Sequence, residues 1–285
     1  MDALDALINR VGYLPPFPQH VPKLLELLRK EEVDTDAVVT IIAHDPTLTT
    51  NVMRLCNSVM FGAATPASDL HEAIMRLGFK EVCQLVLVIS SASTLMPGQK
   101  EYGLETGELW KHSVATALAA KIIAEAVDED ANLAFTAGLL HDVGKVILAR
   151  ALEGVYANLF AEVEQSQTAV VEAEKKMLGF QHAEVGGRML ARWKFSAPLV
   201  AGVWFHHDPA RAHPHQRLAA CVFLGNMIAY FMGHGYGHLA FAFRGRAEAL
   251  DILGIEASAL PHYMLSTFEA MESLKELLQF DLATP

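Results

Sequence analysis

Cysteine is scarce in this 285-residue chain, at three residues, and Lys and Arg together (22) are outnumbered by Asp and Glu (33). Cys56, Cys83 and Cys221 lie far apart in apolar contexts, so no zinc-cysteine spacing exists. All three read as buried thiols of a reducing cytoplasm. The formal charge of −11 argues against a broad nucleic-acid footprint, while leaving room for a local basic pocket. Long hydrophobic runs are missing too: none approaches the roughly 18–20 residues of a membrane span. The opening residues, Met1 to Asp5, lack the basic-then-apolar pattern of a secretory leader, so a cytoplasmic chain that engages no membrane is expected. Charged residues make up 19% against 52% hydrophobic, which excludes disorder and supplies a sizeable core.

Period-two alternation persists nowhere, and neither an internal repeat nor a low-complexity segment occurs, which leaves helices as the regular element. Apolar residues recur at three and four through segments near 21–30, 35–43, 47–57, 69–78 and 79–95. They do so again near 106–127, 131–151, 155–165, 169–178, 182–193, 197–207, 216–232, 247–253 and 258–278. Asp34, Asp69, Thr168 and Ser196 are candidate N-caps, Gly78 is a stop, and Leu14-Pro-Pro-Phe-Pro18 is a stiff lead-in. The stretch 96–103, rich in Pro and Gly, is the best boundary. The expectation is an all-α, compact multi-helix bundle in three parts: an N-terminal helical half at 12–96, a second half at 104–232 and a C-terminal helical extension at 233–285.

His-Asp occurs three times, at His44-Asp45, His141-Asp142 and His207-Asp208. The first and last precede a proline and read as helix-start or turn residues. Only His141-Asp142 falls inside an apolar helical pattern. There Gly138, His141, Asp142 and Lys145 follow the i, i+3, i+4, i+7 rule and form one stripe. Gly138 and Gly144 each weaken a helix interior by about 1 kcal/mol relative to Ala, so something must approach closely; a metal or an anion fits. The competing reading is a hydrogen-bonded core histidine beside a surface Asp142–Lys145 pair.

Further histidines stand at otherwise apolar positions. His112 lies in a helix of small residues, His182 opens a helix, and His206 and His207 close one. Singly each reads as a core or helix-terminal histidine. As an ordered set with Asp142 they offer imidazole and carboxylate without thiolate, the ligand mix for Fe, Mn, Zn, Co or Ni, and two metals could share Asp142.

The order His112, His141-Asp142, His182, His206-His207 resembles the HD superfamily of metal-dependent phosphohydrolases, with spacing similar to its HD-GYP branch. Leu14-Pro-Pro-Phe-Pro18, Ile42-Ala-His-Asp-Pro-Thr-Leu48, Arg54-Leu-Cys-Asn-Ser58, Glu72-Ala-Ile-Met-Arg-Leu-Gly78 and Gly138-Leu-Leu-His-Asp-Val-Gly-Lys145 together are similar to an HDOD domain over roughly residues 12–210. That resemblance implies a bacterial signalling output module whose partners are other signalling proteins. It carries His112, His141, Asp142, His182, His206 and His207 over as ligands of one or two divalent transition-metal ions, and Lys145 as a phosphate-binding or charge-balancing residue. It assigns no reaction. Two departures matter. Asn226 stands where the HD pattern has an aspartate and would ligate only weakly. The Gly-Tyr-Pro loop after His-His is absent, which argues against cyclic-di-GMP hydrolysis of the HD-GYP type. The alternatives are an active metal-dependent phosphohydrolase acting on a phosphate-containing small molecule and, third, redox chemistry at a di-iron centre.

Overall fold

The computed structural model describes residues 35–57, 67–99, 102–151, 169–235 and 245–278, with positions 4, 5, 7, 23, 24, 26 and 27 near the start. Every regular element among them is helical, and no helix there is long and apolar enough to cross a membrane. The lead-in at 14–18, the caps Asp34 and Thr168, most of the segment at 21–30 and the expected helix at 155–165 lie outside the described residues. The chain divides into two compact units, one built mainly from residues 15–94 and the other from 95–271.

The first unit contains α1 (Thr35–Ala43), α2 (Pro46–Cys56), α3 (Leu70–Leu77) and most of α4 (Phe79–Leu95). Helix α3 shows how local chemistry sets its ends. Asp69 accepts the Glu72 backbone N–H at 2.8 Å, and Glu72 reaches back to accept the Ser68 N–H at 2.8 Å. The Ser68 N–H and hydroxyl, with the Arg76 guanidinium, hold the Glu72 carboxyl down at about 2. At the other end Gly78 takes a φ of 90°, which residues with a Cβ rarely adopt. Leu70, Ala73, Ile74 and Leu77 form the buried face of α3, which packs on α1 and α2. Asp69→Ala removes the cap and is expected to cost about 1 kcal/mol, read as a lower chemical-denaturation midpoint.

The second unit is organised around α5 (Glu108–Ala126). Its buried Ala115, Ala117, Ala119, Ala120 and Ala124 let two helices come very close. A Cβ on Gly138 of α6 (Ala131–Leu140) would lie 2.8 Å from the Ala117 Cα, and one on Gly225 of α11 (Gln216–Ala229) would lie 2.8 Å from the Thr116 carbonyl oxygen. Helix α11 runs antiparallel to α5: Arg217 at its start bonds the Val127 carbonyl at 2.6 Å, and Tyr230 just past its end meets the His112 ring. Between α6 and α11 come α7 (Val143–Ala151), α8 (Val170–Leu178), α9 (His182–Arg192) and α10 (Ala197–Trp204). A wide turn at Tyr230–His234 follows α11, and then α12 (Arg246–Leu253) and α13 (Leu260–Leu278), which belongs to this unit as far as Met271. Leu250, Leu253 and Tyr263 join Ile123, Phe223 and Met227 in one apolar cluster, so much of the C-terminal extension is core to this unit.

Two expectations need correcting here. The segment 131–151 is not one helix; it breaks at His141-Asp142 into α6 and α7. The His141 ring bonds the Gly138 carbonyl at 2.7 Å, which in an unbroken helix would accept from the Asp142 backbone, and the ladder is interrupted there. The close approach demanded by Gly138 and Gly144 is also made by protein, not by a metal or an anion. Gly138 meets α5, while a methyl on Gly144 would be driven into the His182 carbonyl and stand 2.9 Å from the Gly186 nitrogen.

Candidate metal centre

The break between α6 and α7 turns Asp142 inward beside His141, and three other elements bring imidazoles to it. Oδ2 lies 3.7 Å from His112 Nε2 of α5, 3.3 Å from His141 Nε2 and 2.6 Å from Lys145 Nζ of α7. Oδ1 lies 3.2 Å from His182 Nε2 at the start of α9 and 3.9 Å from His206 Nε2 just past α10. His207 is half-buried, with Nε2 3.0 Å from His182 Nε2. All six sequence-predicted ligands and Lys145 therefore meet at one place. Asp142 is 1% exposed and Lys145 4%, so the idea of a surface ion pair does not hold.

The ring orientations say more than the distances. His141 Nδ1 faces the Gly138 carbonyl at 2.7 Å, His206 Nδ1 the Val203 carbonyl at 2.7 Å, and His112 Nδ1 the His234 carbonyl at 3.1 Å. A carbonyl only accepts, so each ring donates from Nδ1 and, when neutral, carries its lone pair on Nε2. His182 Nδ1 is held 2.7 Å from Glu174 Oε2, a carboxylate that also accepts the His182 backbone N–H at 2.8 Å. Four imidazoles thus aim Nε2 at one carboxylate. Tying the far nitrogen to a carbonyl or carboxylate is how proteins orient metal-binding histidines.

The ionisation states agree. Burial pushes the His112, His206 and His207 imidazoles well below their ordinary range, and neighbouring imidazoles add to the effect. Burial acts the same way on His182, but the Glu174 and Asp142 carboxylates together outweigh it and the net shift is upward. Burial alone would raise Asp142; the His141 and Lys145 charges beside it prevail and hold the carboxyl well below the usual range. The neutral rings of His112, His206 and His207 beside an ionised carboxylate suit a cation.

The residues also fit a metal by what they leave unanswered. Among the described residues, the buried His206 Nε2 and Asn226 Oδ1 have no hydrogen-bond partner. His182, His206 and His207 form one group whose ligand atoms all lie within 4.8 Å of one another, and His112, His141 and Asp142 form a second. Two nitrogens each about 2.1 Å from one ion and at right angles are about 3 Å apart, close to the His182–His207 separation. Asn226 sits one turn before Tyr230, whose ring is 4.8 Å from that of His112, centroid to centroid.

Sequence reasoning missed Glu174 and Tyr102. Glu174 is fully buried in α8 and accepts the Tyr102 hydroxyl at 2.7 Å. One signal was available: an acidic residue on the apolar face of a short helix, eight positions before His182. Tyr102 belongs to a tight turn closed by the Gln99–Leu104 bridge, in a stretch that reads only as a boundary. Arg217, which could have served a phosphate, is taken up structurally by Val127 and Glu129. Arg211 is exposed and pairs with Asp208 at 3.7 Å.

Compared with known families, residues 14–209 match the HDOD domain. The chain belongs to the HDOD family. A protein of Treponema pallidum with no described role is 24% identical over 230 residues, which are 80% of this chain and 44% of that one, so this chain spans less than half of that relative. Among solved structures, an HDOD domain protein of unknown function from Geobacter sulfurreducens is 23% identical with a TM-score of 0.75, covering 97% of this chain and 95% of its own. A candidate phosphohydrolase from Shewanella amazonensis is 24% identical with a TM-score of 0.73, covering 96% of this chain and 98% of its own. These structures establish the all-helical HDOD fold. The His and Asp cluster of this HDOD protein is, in addition, compatible with a metal site.

Proposed function

We propose that this HDOD protein is a signalling module whose second unit holds one or two divalent transition-metal ions (Fe, Mn, Zn, Co or Ni) and binds a phosphate-containing small molecule on them. The observation that carries this reading is the common orientation of His112, His141, His182 and His206, each tied back through Nδ1 and presenting Nε2 to Asp142. His182, His206 and His207 with Asp142 Oδ1 would hold one ion. His112, His141 and Asp142 Oδ2 would hold the other, with Asn226 as a weak neutral ligand. Such ions, when bound, polarise phosphoryl oxygens and acidify water.

Charge favours an anionic ligand. Asp142 is already balanced by Lys145 at 2.6 Å, and the amide of Asn226 adds no charge. Divalent cations in so nearly neutral a donor set leave the pocket positive, and a phosphate restores balance. Half-buried His207 marks the side open to solvent. Partners would be other signalling proteins, with neither nucleic acid nor membrane involved.

A second reading, hydrolysis of a phosphoester, is favoured by one observation: the two oxygens of Asp142 face different histidine groups, as in a shared clamp for two ions. Lys145 and the pocket's positive potential would then stabilise charge on the transferred group.

Protein expressed in metal-supplemented medium is expected to carry at least one equivalent of a transition metal; less than about 0.2 equivalents would overturn the reading. Chelation is expected to lower the melting temperature, since a ligand at 1,000-fold excess over its Kd stabilises the native state by about 4 kcal/mol. An unchanged midpoint after verified metal removal would count against it. A phosphoester screen, repeated with His141→Ala, separates the enzyme from the binding module.

A further inference from the structure

The match to the family ends at residue 209, yet one imidazole of the centre is fixed by residues well beyond it. After α11 the chain makes the wide turn Tyr230–His234, in which Gly233 takes a φ of 81° and reverses the backbone. The reversal delivers two contacts to His112. The His234 carbonyl reaches His112 Nδ1 at 3.1 Å, and the Tyr230 ring packs on the imidazole with centroids 4.8 Å apart. Gly235 then lies flat against the inner part of the Tyr230 ring, where a Cβ would stand 2.7 Å from Cγ and closer still to Cδ1 and Cε1. Its own backbone is extended (φ −95°, ψ 160°), a conformation alanine adopts freely, so space and not torsion demands glycine there.

We propose that the segment 230–235 is the positioning element of His112: the His234 carbonyl fixes the ring proton on Nδ1, and the Tyr230 ring, seated on Gly235, fixes the ring plane, so that Nε2 is presented to the centre. This deepens the metal reading and rests on it for its purpose. His141, His182 and His206 find their anchors closer in sequence, at Gly138, Glu174 and Val203. His112 alone depends on a carbonyl 122 positions away. The extension thereby bears on metal affinity without supplying a ligand. Tyr230, His234 and Gly235 are positioning residues, not catalytic ones.

The test uses Gly235→Ala in the full chain with histidines labelled with 15N, the His112 signals being assigned among the 13 histidines by their loss in His112→Gln. In the wild-type protein without metal, His112 is expected as the single Nδ1–H tautomer. In Gly235→Ala the displaced Tyr230 should release it to a tautomer mixture, and cobalt affinity should fall about 10- to 100-fold, the usual effect of losing such an anchor. Tyr230→Phe, made in the otherwise wild-type chain, keeps ring and contact and should leave both readouts as in the wild type. If Gly235→Ala does not fold, Tyr230→Leu makes the same comparison. An unchanged His112 tautomer in both Gly235→Ala and Tyr230→Leu overturns the proposal. Wild-type protein that takes up no cobalt, while the tautomer still shifts in the variants, upholds the positioning role and overturns the metal reading instead.

Discussion

Asp142→Ala is expected to lose metal uptake and also to destabilise the metal-free protein by about 3–5 kcal/mol, the cost of breaking a buried ion pair from one side. The reason is Lys145. Its ammonium lies 2.6 Å from Asp142 Oδ2, with side-chain exposures of 5% and 1%, so truncating the carboxylate leaves a cation in an interior that cannot solvate it. A Tyr102 ring 6.0 Å from Nζ offers a weak substitute. Adding Lys145→Met should therefore recover most of the lost stability while metal uptake stays absent. Comparable stability of the single and double variants, measured by chemical denaturation, would show that the pair is not what holds this region. Uptake retained in Asp142→Ala would mean that imidazoles alone suffice.

Gly144→Ala should be the most damaging of the conservative substitutions. The added methyl would be forced into the His182 carbonyl, 2.8 Å from its carbon and 2.9 Å from the Gly186 nitrogen. Overpacking a core costs about 1–3 kcal/mol when side chains can give way, and more is expected here because the obstacle is backbone. The damage is also directed. Moving α9 off α7 carries His182 away from Asp142, so metal affinity should drop along with the melting temperature. Gly179→Ala is the informative partner: nothing lies within 4 Å of its Cβ, but its φ of 83° makes alanine strained. It should lower stability and leave metal affinity as it was. If the two variants behave alike, the close contact at Gly144 is not what sets the α7–α9 spacing.

What could be read in advance followed the range of the forces involved. Helices were legible from apolar spacing because α3 and α9 keep one buried face, and Asp69 and Gly78 could be named as ends because a cap acts within three or four residues. The residue types converging on Asp142 were legible from their order and from the HDOD resemblance. The break at His141-Asp142 was not, since it arises from a ring bonding a carbonyl three residues back, and an apolar pattern runs through it undisturbed. The partners of Gly138 and Gly144 were hidden for a related reason: glycine signals that something comes close, and only the packing says what. Tyr102 was missed because its bond to Glu174 spans 72 positions and nothing in its own neighbourhood marks it, while Glu174 left only the sign of an acid on an apolar helix face.

The antiparallel pairing of α5 with α11 has a consequence for how such a chain is divided. The stretch by which the family is recognised stops before α11 begins, while the alanine-lined side of α5 is shaped to receive Gly225 and its neighbours. Trimming the polypeptide at that conventional limit would strip away half of a helix pair and leave a long oily trench open to water. The stretch that matches the family and the compact body built around α5 are different objects in this molecule, and the second runs on to Met271.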